Sequence, residues 1–175
     1  MLTECEKQLG PEHPDTLRTV GNLAIVYRNQ GRYGEAETLY KQVLTGQETQ
    51  LGPEHPDTLR TVGNLAIVYR NQGRYGEAET LYNQVLTECE KQLGPEHPDI
   101  LQAVVNLAIV YRNQRRYEEA ETLYKRALTE QETQLSPEHP ETLRTVGNLA
   151  IVCRNQGRYE EAETLYKQAL TGQET

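Results

Sequence analysis

The chain has 175 residues, with 26 acidic side chains against 18 Lys and Arg, and a formal net charge of −8. That balance argues against a general affinity for nucleic acid or an anionic membrane surface, and the longest uncharged apolar runs, such as Leu23–Tyr27, are far too short to span a bilayer. Three cysteines without close pairs (Cys5, Cys89, Cys153) and an N-terminus lacking a basic start and an apolar stretch lead to the expectation of a cytoplasmic protein with reduced thiols.

A fixed period organises everything else. Residues 8–40 recur letter for letter at 50–82, an offset of 42, and further copies of the NLAIVYRNQGRY stretch begin at Asn106 and Asn148. A chain built this way has no central core, because each unit buries surface only against its neighbours. One array is expected over 1–175. Its hairpins are predicted at 14–50, 56–92, 98–134 and 140–175. Residues 1–9 match the tail of a second helix, since CEKQL at 5–9 recurs at 89–93.

Within the first full unit, Pro14 suits the first turn of a helix, where its missing N–H costs nothing. Asp15 complements the positive helix end. Leu17, Val20, Ala24 and Tyr27 then recur on one helical face. Gly31 stands where a left-handed residue ends the helix. A second helix follows from about Tyr33 to Gln50, with Ala36, Leu39, Tyr40, Val43 and Leu44 as its apolar stripe. Gly52, Pro53 and Pro56 stop it. The turn QGRY is short, so the two helices must be antiparallel neighbours. Neither is stable alone in water, and stacking buries their stripes. The other units repeat this reading, and no alternating strand pattern occurs.

Most candidate chemistry fails on geometry. His13, His55, His97 and His139 stand a full period apart, one per loop. Stacked helices lie about 8–10 Å apart, while a metal needs ligands about 2 Å from one centre, so these are expected to be loop or cap residues. GRYGEAE lacks the lysine and glycine spacing of a phosphate loop. Glu35 and Glu37 point to different sides of a helix. No cofactor, metal or catalytic residue is expected, and the chain is read as no enzyme.

NLAIVYRNQGRYGEAETLYKQVL resembles the tetratricopeptide (TPR) pattern, with Leu23, Ala24, Tyr27, Gly31, Tyr33, Ala36, Tyr40 and Val43 at the expected places. The family unit is 34 residues; this one is longer, and LG..HPD between hairpins is similar to kinesin light chains and bacterial TPR-like proteins. The resemblance implies an all-α, right-handed superhelical solenoid of antiparallel hairpins.

One face of the first helix remains. Arg18, Asn22, Ile25 and Asn29 share it, flanked by Arg28. By resemblance, these positions line a concave groove that receives an extended peptide. They recur as Arg60, Asn64, Ile67, Arg70 and Asn71, then as Gln102, Asn106, Ile109, Arg112 and Asn113, and as Arg144, Asn148, Arg154 and Asn155. Arginine forks suit carboxylates and amides suit backbone, so the expected partner is an acidic or amide-rich protein segment held in a locally basic groove. Identical copies make this one observation rather than four, and the ladder is also readable as a solvated face. Gly21, Gly63 and Gly147 each cost helix stability, which points to close packing or to room for a ligand. Self-similar ends also invite head-to-tail stacking, the alternative reading of the chain as an assembly module.

Overall fold

The computed structural model describes residues 10–94 and 98–171. Eight helices follow one another: α1 (Pro14–Asn29), α2 (Tyr33–Leu51), α3 (Pro56–Asn71), α4 (Tyr75–Leu93), α5 (Pro98–Asn113), α6 (Tyr117–Gln134), α7 (Pro140–Asn155) and α8 (Tyr159–Thr171). Among the described residues there is no strand. Residues 1–9, expected to belong to a preceding second helix, and His97 lie outside the described residues.

Three of the first helices, α1, α3 and α7, start in the same local way. His13 Nδ1 accepts a hydrogen bond from the Asp15 amide at 3.2 Å, and His55 and His139 do the same for Asp57 and Glu141. These bonds satisfy an amide that the helix start leaves open. The histidines are therefore caps, and among the described residues no cluster of metal-ligating side chains occurs. Each first helix also ends in the same way. Gly31 adopts φ +75°, its amide donates to the Arg28 carbonyl, and the Arg32 amide donates to the Tyr27 carbonyl. This double bond pattern is a Schellman turn, which reverses the chain into α2.

The chain divides into two compact units, one up to Cys89 and one from Glu90 onward. In the first, α2 packs on both α1 and α3. Leu17, Val20 and Val43 form a buried cluster with Leu39 against it. Ala24, Ala36 and Tyr40 are also buried, so the sequence stripes of both helices face inward. In the second, α6 packs on α5 and α7, α7 packs on α8, and α5 touches α7 directly. Tyr124, Ala127, Val146 and Val152 are buried there. The expected close packing at the first-helix glycines is absent. A Cβ at Gly63 or Gly147 would meet no atom within 4 Å, and one at Gly21 would only touch Val43 at 4.0 Å. The close approach is at Gly46 instead, whose missing side chain makes room for Leu17.

Candidate functional site

The predicted face residues fall into two groups. Arg18, Arg60 and Arg144 are exposed, as are Asn22, Asn29, Asn71, Gln102, Asn113, Arg154 and Asn155. Ile25, Ile67 and Ile109 are half-buried, and so are Arg28, Arg70, Arg112, Asn64, Asn106 and Asn148. A half-buried isoleucine with polar neighbours on the same helix thus recurs from one first helix to the next.

Two bonds tie neighbouring first helices together. Arg28 Nη1 donates to Asn64 Oδ1 at 3.1 Å, and Arg112 Nη1 donates to Asn148 Oδ1 at 3.0 Å. Arg28 Nη2 also reaches Asn29 Oδ1 at 3.5 Å. The amide oxygens of Asn64 and Asn148 are therefore occupied, and their Nδ2 hydrogens remain to be given away. Tyr40 and Tyr82 lie buried near these arginines. Burial pushes the Tyr82 phenol up to about 12 and raises that of Tyr40, against the opposing charges of Arg70 and Arg28 on Tyr82 and of Arg28 on Tyr40.

The exposed arginines are balanced where they stand. Arg18 pairs with Asp15 at 2.9 Å, Arg60 with Asp57 at 2.8 Å, and Arg144 with Glu141. Each pair spans three residues of one helix, where side chains are neighbours. The locally basic character expected of these positions is reduced accordingly. Pairs this exposed are weak. In the first unit a cleft of about 220 Å³ opens here, lined by Asp15, Leu17, Arg18, Asp57 and Arg60 with Gln47 and Gln50 of α2. The two glutamines were not among the candidates. Their helix was read only for its apolar stripe.

A second bond set joins hairpins within each unit. Glu37 on α2 accepts from Lys41, from Gln72 Nε2 at 3.0 Å and from Arg74 Nη1 at 2.7 Å. Glu121 likewise accepts from Lys125 and from Arg158 at 2.6 Å. Burial raises the Glu37 pKa, but the three donors outweigh it and hold the carboxyl at about 2. Arg32, Arg74 and Arg116 stack over Tyr27, Tyr69 and Tyr111 at 3.9–4.0 Å, so the arginine after each turn is held by a ring as well as by carboxylates.

The tetratricopeptide repeat model matches residues 2–49, 18–87, 57–129 and 99–175, which together run along nearly the whole chain. The chain belongs to the tetratricopeptide repeat family. Among solved structures, it is similar to two crystal structures of the nearly identical TPR-like repeats of a kinesin light chain-like protein from Podosopora anserina, one of them a point variant. Both match at 32% identity over 98% of this chain, with TM-scores of 0.83 for the variant and 0.80 for the other, covering 81% and 82% of those chains. BtubC (BKLC) from P. vanneervenii matches at 22% identity and a TM-score of 0.81, over 91% and 64%. MamA matches at 16% identity and a TM-score of 0.67, over 99% and 85%. These last two speak to the fold alone. Among curated proteins none matches. Tetratricopeptide repeats generally serve as protein-interaction scaffolds. Among the described residues no helix is long and apolar enough to cross a membrane.

Proposed function

We propose that this tetratricopeptide array is a non-catalytic scaffold whose first-helix face binds an extended, acidic or amide-rich segment of a partner protein. The observation that carries the reading is the pairing of Arg28 with Asn64 and of Arg112 with Asn148. Each arginine takes the amide oxygen and leaves the asparagine's N–H groups to be given away, so the face is rich in donors. Its complement is a string of acceptors: backbone carbonyls, side-chain amides and carboxylates. The half-buried Ile25, Ile67 and Ile109 supply apolar contact between them. Buried Cys89 and Cys153 thiols are consistent with work in a reducing compartment such as the cytoplasm.

An acidic peptide library screened by fluorescence anisotropy at low and high salt tests this. The expected result is binding that weakens with salt and is lost when Arg60 and Arg70 are reversed to Glu. Binding indifferent to salt, or surviving that reversal, counts against the reading.

A further inference from the structure

We propose that the first-unit cleft between α1, α2 and α3 takes a glutamine side chain of the partner segment. The inference rests on the binding reading above and names what one subsite of that face selects, a neutral primary carboxamide rather than a carboxylate.

Size sets the class of occupant. The cleft holds about 220 Å³. That is many times the room one water needs, but less than the about 300–1,000 Å³ of sites that enclose a whole small molecule. It suits one side chain of a longer segment.

Charge narrows the choice. The charged lining consists of Asp15, Arg18, Asp57 and Arg60. Each arginine is bonded to the aspartate three residues before it, at 2.9 Å and 2.8 Å, so the lining carries no net charge. An incoming carboxylate would have to displace an aspartate from its arginine and then stay beside it. An incoming ammonium would meet the arginines in the same way. A neutral group meets neither cost.

Hydrogen bonding narrows it further. Gln47 and Gln50 stand three residues apart on α2, where side chains are neighbours. Thr61 Oγ1 donates to Gln47 Oε1 at 2.7 Å, closer than the Asp57 carbonyl at 3.1 Å. Gln47 therefore keeps its Nε2 hydrogens to donate. Gln50 Nε2 donates to the Glu12 carbonyl, so Gln50 keeps its Oε1 to accept. One wall of the cleft thus offers a donor and an acceptor side by side. An apolar side chain would strip both of water and give them no partner. A trans peptide group carries its N–H and C=O on opposite edges, whereas a primary carboxamide carries both on one edge and matches this wall. Leu17, Leu51 and Pro14 also line the cleft. Leu51 is 45% exposed, and the two methylenes of a glutamine give it cover that the shorter asparagine does not.

Fluorescence anisotropy on the full chain tests this with acetylated, amidated heptapeptide pools, each holding glutamine, glutamate or methionine at one fixed position. The glutamine pool is expected to bind at least threefold tighter than the other two, by a ratio that salt leaves unchanged because no net charge is involved. Gln47→Leu and Gln50→Leu should each level the three pools, with unchanged helical circular dichroism. Asp15→Asn combined with Asp57→Asn leaves both arginines uncompensated and should turn the preference to the glutamate pool. Pools that bind equally to the wild type overturn this inference and leave the binding reading standing. So does a glutamine preference that survives either leucine variant or the double asparagine variant. If no pool binds at any salt concentration, the binding reading itself falls, and this inference with it.

Discussion

Arg74 Nη1 lies 2.7 Å from Oε2 of Glu37, which belongs to the preceding hairpin. Lys41 and Gln72 bond the same carboxylate, so one largely buried anion gathers three donors from two hairpins. The sign of its pH dependence follows. The folded pKa near 2 lies below the ordinary glutamate value, so its contribution is complete above that ordinary value and lost as pH falls toward 2. With solvent screening, that contribution is about 1–2 kcal/mol. Acid unfolding followed by circular dichroism should show Glu37→Gln less stable than wild type at neutral pH, and the difference should close as the pH falls from 4 toward 2.

Arg115 holds φ +63° at the turn where Gly31, Gly73 and Gly157 hold +75° to +80°. A side chain in this left-handed region costs about 1 kcal/mol, and glycine does not bear that cost. Arg115→Gly is expected to stabilise the second unit by about that amount, read as a higher midpoint in urea unfolding with an unchanged slope.

Gly63→Ala is expected to stabilise as well, for a different reason. Its backbone is helical, the added methyl meets no atom within 4 Å, and alanine is favoured over glycine in a helix by about 1 kcal/mol. Gly46→Ala gains the same propensity but drives its Cβ to 2.7 Å from Leu17 Cδ1, and overpacking of that kind costs about 1–3 kcal/mol. Thermal melts should therefore move in opposite directions. Equal upward shifts for both would show that Leu17 gives way without cost.

His55 accepts from the Asp57 amide at 3.2 Å. His55→Ala should lower stability by about 1 kcal/mol, and His55→Asn should recover most of it, because asparagine is a good acceptor at that position. Chelator treatment of the wild type should leave the melt unchanged, as the histidine acts as a cap.

Helices, turns and fold class were legible in the sequence because their causes are local. Pro14 after His13, the apolar spacing from Leu17 to Ala24, and Gly31 at the turn each act within a few residues, and the period of 42 says that such hairpins stack. The functional face was legible only as a set of positions. Arg18 was read as part of a locally basic groove, but Asp15 three residues earlier pairs with it. Glu37 was read only as pointing to a different side of its helix from Glu35, but it bonds Gln72 and Arg74 of the next hairpin.

The sequence alone determined that this protein is a stack of like helical pairs, since short-range sterics, caps and amphipathic spacing leave little else open. Only tertiary structure decided which copy of a repeated residue meets which. Arg28 finds Asn64 rather than Asn22 because packing of α2 against both α1 and α3 brings the second hairpin alongside. Identical repeats carry identical letters, so the choice of partner is written in the distance between hairpins and not in the residues themselves.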